Sequence, residues 1–215
     1  LDGETRGVEN GQRYGRLVIR NVIVIDGKGT PPRGPLDIIV EGNKIQSIQA
    51  ASQDGKKYEK EEHVLDGTGM YLLPGLINIH AHLQESRAGI ALPFEYSYKL
   101  WLACGITTIR DVGSNYEKTI EARRKSQEGQ IAAPRIFLYM TAGGRTPDEI
   151  RQGIQEAKKK GADGIKLFAM DRDIMKAALD EAHKLSLRTA RHDAVEETDA
   201  WDDAEFGVTS IEHWY

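Results

Sequence analysis

Two histidines separated by one residue, His80 and His82, end an apolar run that begins at Tyr71. Successive side chains of a β-strand point to opposite faces, so residues two apart share a face. Two neutral imidazoles side by side at a strand end are nitrogen donors aimed at one point, which suits a divalent transition metal. An isolated His-x-His is more often two ordinary surface histidines, so the rest of the chain has to decide between these interpretations.

Other side chains that can bind metal fall at the ends of further predicted strands. We predict strands that end near His82, Asp111, Met140, Phe168, His192 and His213. The candidate metal ligands at or next to these ends are His80, His82, Lys166, His192 and His213. Functional side chains of a parallel barrel collect at the carboxyl ends of its strands. Each residue alone could be an ordinary core or surface residue, but four histidines that converge with a lysine favour a metal site.

The other two histidines fall outside this pattern. His63 lies in a charged loop, and His183 lies on a predicted helix beside its apolar face. We predict that both are ordinary surface or boundary residues.

The first third of the chain has the pattern of β-structure. Residues 17–25 are a strong strand signal, and Gly42-Asn43 joins two further strand patterns as a hairpin turn that requires positive φ. Residues 1–15 are polar and glycine-rich, which predicts a loose arm. We predict one small β module, a partial β-sandwich, over residues 1–72.

Strand and helix patterns then alternate over residues 73–215. Ser114-x-x-Glu117 and Thr146-Pro147-Asp148-Glu149 predict capping boxes at the start of two helices. Residues 174–185 carry apolar side chains at helical spacing. Three glycines predict helix ends: Gly105, Gly161 and Gly207. Three apolar stretches predict strands buried on both faces: residues 106–109, 136–140 and 165–168.

Repeated βα units predict a parallel sheet, either doubly wound or closed into a barrel. No G-x-G-x-x-G follows an early strand, which disfavours a dinucleotide-binding sheet. We predict an α/β fold, a (β/α)8 TIM-type barrel, for which residues 73–215 supply about six of the eight units. We expect an exposed strand edge and an exposed apolar interior in such a sheet. We also expect a fragment of a longer protein, a chain completed by another chain, or a truncated inactive form.

The composition excludes some classes of partner. The chain has 215 residues and a formal net charge of -4, with no basic stripe that would indicate nucleic acid. No apolar run approaches the roughly 20 residues that a membrane span needs. The single cysteine, Cys104, excludes an internal disulfide and is predicted to be a buried thiol at a helix end.

The compartment and the oligomeric state are less accessible to sequence reasoning. The chain begins at Leu1, so we expect that an N-terminal segment was removed. A soluble protein, either cytoplasmic or exported after removal of a signal peptide, fits that expectation. No feature indicates an oligomeric state, and the expected partner is a small-molecule substrate.

Five segments together resemble the amidohydrolase superfamily. Residues 73–82 resemble its first-strand signature, and residues 161–167 resemble its fourth-strand lysine segment. Residues 191–193 and 210–213 match its fifth-strand and sixth-strand histidines. Residues 107–113 resemble the second strand of the branch that holds imidazolonepropionase-like and prolidase-like enzymes. The resemblance covers about residues 16–215, and its strength lies in the ordered combination of the segments.

This resemblance implies a metal-dependent hydrolase with two divalent ions, zinc being the first choice. His80 and His82 would hold one ion, His192 and His213 the other, and a carbamylated Lys166 would bridge the two. A metal-activated hydroxide would attack an amide or cyclic amide C–N bond, a dipeptide being one possible substrate. Burial and nearby positive charge favour the neutral lysine amine that can add carbon dioxide.

The match departs from the family at the proton acceptor. The family places an aspartate at the end of strand 8, and this chain has no matching position; neither Asp111 nor Asp193 fills that role. Two alternatives therefore stay open, a mononuclear hydrolytic deaminase on the same scaffold and an inactive metal-binding remnant. Because the superfamily's deaminases use no bridging lysine, Lys166 argues against the deaminase.

Candidate substrate contacts lie near the strand ends. They are Gln84, Tyr139 and Arg191, with residues 85–87, Trp214 and Tyr215 also near the predicted mouth. Tyr139 is equally well explained as a core aromatic between sheet and helix. Arg191 could pair with a substrate carboxylate or serve a structural role, with equal weight.

Overall fold

A computed structural model of the chain describes residues 14–54, 57–58, 60, 63–192 and 198–213. The chain divides into two compact units, Leu1–Gly75 and Leu76–Tyr215. Most of the predicted N-terminal arm lies outside the described residues, as do Asp193, Trp214 and Tyr215. The assignment of residues 1–72 and 73–215 as separate domains stays a prediction.

The first unit is built around one long strand. Its strands are β1 (Arg16–Val24), β2 (Arg33–Glu41), β3 (Lys44–Ala50), β4 (Val64–Asp66) and β5 (Tyr71–Leu72). The sheet order is β3-β2-β1-β4, with β5 also paired to β1. β1 is antiparallel to β2 and parallel to β4 and β5. Gly42, at φ +57°, takes the left-handed turn position predicted between β2 and β3.

The second unit alternates strands and helices, as predicted. Its strands are β6 (Leu76–Ala81), β7 (Ser86–Arg87), β8 (Ile90–Ala91), β9 (Ile106–Asp111), β10 (Arg135–Thr141), β11 (Gly164–Leu167), β12 (Arg188–His192) and β13 (Ser210–Glu212). Its helices are α1 (Phe94–Ala103), α2 (Tyr116–Gln127), α3 (Pro147–Lys159), α4 (Arg172–Lys184) and α5 (Ala200–Phe206). The predicted strand ends agree with these bounds within about one residue.

The order of the strands identifies the type of sheet. The main sheet runs β6-β9-β10-β11-β12-β13, and every neighbouring pair is parallel. Each strand therefore lies beside its predecessor and its successor in the sequence, whereas a doubly wound sheet reverses direction at a switch point. This is the order of a (β/α)8 barrel, and the predicted fold class is confirmed.

Helices cover one face of this sheet, which we call the outer face. Ile165 and Leu167 of β11 are fully buried there in a cluster with residues of α3 and α4. The predicted apolar side of α4 belongs to the same cluster: Ile174, Met175, Ala178, Leu179 and Ala182. The opposite face of the sheet, which carries Lys166, is the inner face.

Within the described residues the sheet ends at β6 and β13, each of which pairs with one strand only, as expected. Leu76, Ile77 and Ile79 of β6 are 60%, 64% and 61% exposed. Burial on both faces was predicted for three strands, but only β11 is buried throughout. β9 and β10 keep exposed positions, Phe137 among them, so that prediction is wrong for these two strands.

Two local predictions need correction. The cap of α2 is Asn115, whose side chain accepts a hydrogen bond from Lys118 N, and not Ser114. The Ser114 hydroxyl is used elsewhere, since it donates to Asp111 and accepts from Leu83 N. Cys104 does end α1, but it is exposed and not buried.

The predicted Thr146 cap and the three helix-end glycines hold, but the capping box predicted at Thr146–Glu149 is only half formed. Thr146 caps α3 with Pro147 at the first turn, although the Glu149 carboxylate bonds to Arg145 N and not to the backbone of the cap. Gly105, Gly161 and Gly207 all have left-handed φ at helix ends. Over the described part of the chain, no helix combines the length and the apolar character required to cross a membrane.

The packing of α3 can be tested by truncating one side chain. Ile154 is fully buried in the cluster between α3 and α4. We expect Ile154→Ala to lower the free energy of unfolding by about 3 kcal/mol, because it removes buried methyl groups and leaves a cavity. Urea unfolding measures this. The control Ile90→Ala, at a position 68% exposed, is expected to change stability by less than about 0.5 kcal/mol; equal effects would contradict the proposed core.

Candidate metal centre

Strand alternation decides which side chains reach the inner face. Ile165 and Leu167 point outward, so Lys166 points inward. The same alternation in β12 turns Ala190 and His192 inward, and in β6 it gives His80 and His82 a common face. All these residues lie at or near the carboxyl ends of their strands.

The four predicted strand-end histidines form one continuous series of ring contacts. The ring centroids of His82 and His80 are 4.8 Å apart, those of His80 and His213 4.5 Å, and those of His213 and His192 4.6 Å. The Nε2 atoms of His80 and His82 are separated by 2.9 Å. The four rings are therefore neighbours in space, although the residues are far apart in the sequence.

Lys166 lies buried beside this series. The residue is 1% exposed, and its Nζ has no hydrogen-bond partner within the described residues. Burial is the main cause that lowers the pKa of Lys166; Arg110 lowers it further and Glu212 opposes the shift. Besides burial and the charge on His80, the positive charge of Lys166 also lowers the pKa of both His82 and His213. Lys166 is therefore close enough to influence the pKa of both His82 and His213, which belong to different strands.

One functional residue escaped sequence reasoning. Glu212 is buried, and its carboxylate accepts hydrogen bonds from His80 Nδ1 at 2.5 Å, from Ser210 Oγ at 2.7 Å and from the Arg110 guanidinium. Burial alone would raise the pKa of Glu212, but the bonds from Ser210, His80 and Arg110 outweigh it and the pKa is lowered. The sequence shows only that Ser210 and Glu212 share a face of β13, which does not by itself mark Glu212 as part of a site.

His213 reaches the inner face by breaking the alternation of β13. Glu212 already points inward, so an extended residue after it would point outward. His213 instead has φ +70°, a left-handed conformation that is uncommon for a residue with a Cβ. This turn places its ring against His80 and His192. Such backbone strain costs about 1–3 kcal/mol and is concentrated at functional sites.

The donor set fits a divalent transition metal in type. Imidazole nitrogens are the usual protein ligands of zinc. A buried amine without a partner is also a costly group that a bound ligand or a modification would compensate. In the described portion of the chain, however, no three His, Cys, Asp or Glu side chains already converge as a metal-holding group. The imidazoles instead contact one another as successive pairs of rings.

Comparison with known proteins identifies the family. The sequence profile described as the amidohydrolase family matches residues 71–213. The chain belongs to the amidohydrolase family. This match includes all six strands of the parallel sheet and every predicted metal ligand.

Individual amidohydrolases match over different parts of the chain. An allantoinase of Enterococcus faecalis is 30% identical over 161 residues, which are 71% of this chain and 32% of the allantoinase. A dihydroorotase of Thermus aquaticus is 38% identical over 69 residues, 32% of this chain and 14% of the dihydroorotase. The chain thus spans about a third or less of the length of these relatives.

A solved structure shares the fold over nearly the whole chain. The crystal structure of a protein described as a prolidase from Bifidobacterium longum superposes with a TM-score of 0.74 and 24% identity. The superposition covers 94% of this chain and 55% of that chain. At this level of identity the likeness concerns the fold.

The predicted substrate contacts have different surroundings in this amidohydrolase. Gln84 is exposed on the loop after β6. Tyr139 is buried on the inner face with Val112 and Ala190, beneath the Arg110 guanidinium at 5.1 Å, and so does not pack between sheet and helix. A Cβ on Gly164 would lie only 2.5 Å from the Tyr139 ring, so a glycine at this position makes room for that ring.

Arg191 is placed on the outer face, away from the imidazoles. It is fully buried, and its guanidinium bonds to Asp203 at 2.6 Å and to the carbonyl and hydroxyl of Thr198. Alternation explains this position, because His192 next to it points inward. The structural role is therefore favoured, and Arg191 is withdrawn as a substrate contact. Asp111 is also structural, since its carboxylate accepts bonds from Ser114 and Thr119.

The role of Arg191 can be tested through its partner. Asp203→Ala would remove a fully buried carboxylate that accepts a hydrogen bond from the Arg191 guanidinium, and we expect a loss of about 3–5 kcal/mol in unfolding free energy. Urea or thermal unfolding monitored by circular dichroism measures the loss. In the control Asp180→Ala, which removes exposed ion pairs to Arg151 and Lys184, stability should change little. An Asp203→Ala variant as stable as the control would contradict the structural role.

Proposed function

We propose that the protein is a metal-dependent hydrolase of amide or cyclic amide C–N bonds. The observation that carries this proposal is a buried lysine amine that has no hydrogen-bond partner among the described residues and lies beside four contacting imidazoles. A purely structural lysine is expected to reach solvent or an acid. Lys166 is 1% exposed and bonds to no acid among the described residues, which supports a role for its nitrogen in the site.

The five predicted ligands divide into two halves in this proposal. His80 and His82 hold one divalent ion, His192 and His213 hold a second, and Lys166 lies between the halves. Zinc is the first choice because neutral imidazoles are its common ligands. Bound ions of this kind would supply Lewis-acid polarisation of a carbonyl and would acidify water near neutral pH.

Lys166 would take part as a carbamate. The neutral amine nitrogen forms a bond to the carbon of carbon dioxide, and the proton released from nitrogen goes to water. Burial lowers the pKa of Lys166 and so favours the neutral amine that this addition needs. The product is an anion with two oxygens, which can serve two cations at once.

The described residues leave the acceptor of the water proton unassigned. Among the described residues, the carboxylates closest to the imidazole series are Asp111 and Glu212, and both are engaged by hydrogen-bond donors. We assign neither of them as the acceptor of a proton from the attacking water. The described residues therefore account for binding and orientation.

A cyclic amide is the favoured substrate class. The allantoinase supports this class, since it is 30% identical and its match covers most of this chain. The dihydroorotase supports the same class over a shorter segment. A dipeptide is the second candidate, but its support comes from a likeness of fold alone. The mononuclear deaminase is disfavoured, because it leaves the buried amine of Lys166 without a role.

Metal content tests the proposal directly. For protein purified without chelator and with bicarbonate, we expect about two divalent ions per chain by elemental analysis. Lys166→Met should lower this content, because the bridging anion is lost, while the exposed-lysine control Lys158→Met should not. With ¹³C-labelled bicarbonate, a carbamate signal is expected in the wild type and in Lys158→Met only.

Each outcome decides a separate part of the proposal. A Lys166→Met variant with undiminished metal content and no carbamate signal in the wild type would refute the bridging lysine. One ion per chain would favour the mononuclear alternative. A wild type without metal would refute the metal centre in this chain.

A further inference from the structure

Glu212 occupies the centre of a hydrogen-bond network that the proposed chemistry does not use. One oxygen accepts from His80 Nδ1 at 2.5 Å, and the other accepts from Ser210 Oγ at 2.7 Å and from Arg110. The side chain of Glu212 is only 5% exposed, so solvent does not compete strongly for these bonds. Ser210 and Arg110 thus hold one oxygen of the carboxylate, and the other oxygen faces the His80 imidazole.

The partners of Glu212 fix its orientation. The Arg110 guanidinium also donates to the carbonyl of Ile79 at 2.6 Å and to Ser210 Oγ at 3.0 Å. A guanidinium has donors only, and here it bonds to groups on β6 and β13. Rotation of the carboxylate would break several of these bonds at once, so its second oxygen stays directed at His80.

This geometry has a consequence for the imidazole of His80. An ionised carboxylate only accepts hydrogen bonds, so His80 Nδ1 must carry the hydrogen in this contact. A neutral imidazole with its hydrogen on Nδ1 has its lone pair on Nε2. That Nε2 is the atom 2.9 Å from Nε2 of His82.

We propose that Glu212 is a positioning residue that holds His80 in the Nδ1–H tautomer and thereby directs its Nε2 lone pair toward the metal position beside His82. The assignment of that position as a metal site rests on the proposed function. The tautomer itself does not, since it follows from the contacts among Glu212, Arg110 and His80. Carboxylate partners of this kind orient histidine ligands and change metal affinity by about 10–100-fold when removed.

The His80–His82 contact agrees with this assignment. Two Nε2 atoms at 2.9 Å need one hydrogen between them. Because His80 places its hydrogen on the Glu212 side, the hydrogen between the rings belongs to His82. The metal-free protein is therefore expected to contain His80 as the Nδ1–H form and His82 as the Nε2–H form.

The first measurement uses the wild-type protein without metal. Long-range ¹H–¹⁵N correlation spectra distinguish the two histidine tautomers, and a His80→Asn variant assigns the resonances of His80. The spectra are recorded at one pH well above the ordinary imidazole pKa. A hydrogen on Nδ1 of His80 is expected, and a hydrogen on Nε2 would overturn the proposal without any further variant.

The variant Glu212→Gln reverses the pattern of donors at constant size. Since Arg110 can only donate, the amide oxygen must face Arg110, and the amide NH₂ then faces Nδ1 of His80. We expect His80 to switch to the Nε2–H tautomer. A variant that folds, as judged by its unfolding transition, and still shows the hydrogen on Nδ1 would overturn the proposal.

A matched control comes from another buried glutamate of the same unit. Glu181 accepts from Gln155 at 2.7 Å and from Arg151 at 3.4 Å, with 10% of its side chain exposed. Glu181→Gln makes the same chemical change on the outer side of the sheet, away from the imidazole series. The His80 tautomer should not change in this variant; the same switch in both variants would show a general structural effect and overturn the assignment.

Zinc titration separates this proposal from the proposed function. We expect Glu212→Gln to weaken zinc binding by about 10–100-fold relative to the wild type and to Glu181→Gln. Unchanged zinc affinity together with a switched tautomer would overturn the positioning role. If the wild type binds no zinc but His80 shows the expected tautomer and switches it in Glu212→Gln, the proposed function fails while the role of Glu212 in setting the His80 tautomer stands.

Discussion

The guanidinium of Arg110 joins three strands of the parallel sheet at the level of the histidines. It donates to the Ile79 carbonyl of β6, to Ser210 of β13 and to Glu212, while its own strand is β9. The first and last strands of the described order are thus connected through a residue of the second strand. The rings of His80 and His213 are in contact beside this connection. A bundle of charge-assisted bonds with little exposure to solvent is strong enough to define such a geometry.

Charge constrains what else the inner face can hold. Arg110 is a permanent cation there, and the carboxylate of Glu212 balances it. An ammonium on Lys166 would add a second buried cation with no hydrogen-bond partner within the described structure. The lowered pKa of Lys166 resolves this conflict by favouring the neutral amine. The inner face therefore favours a neutral over a charged Lys166 side chain.

Much of the fold follows from local sequence patterns. The alternation of apolar strands with capped helices was enough to place six strand ends, because each βα unit carries its own start and stop signals. Local competition explains the errors. Ser114 and Asn115 are both good helix caps, and the choice between them was made by Asp111, which engages the Ser114 hydroxyl. Cys104 was assigned to the interior from its neighbours in sequence, which say nothing about what covers the helix end.

The site was only partly accessible to the same reasoning. Alternation could have decided Arg191, because an inward His192 forces its neighbour outward, toward Asp203. Glu212 was missed because an acidic residue beside a histidine has no distinctive pattern, and its partner Arg110 lies on another strand. The left-handed φ of His213 has no sequence signal at all, since histidine is not a residue that requires it.

That left-handed residue explains how one short strand serves two purposes. β13 has three residues, and strict alternation allows only one of two adjacent side chains to face inward. Glu212 takes the inward position in the strand, and the turn at His213 brings a second side chain to the same place. Such strain must be offset by other interactions of the folded protein. In the proposed site, Glu212 would orient an imidazole of one half of the metal centre, and His213 would be a ligand in the other half. A change at Glu212 would then act on both halves through β13.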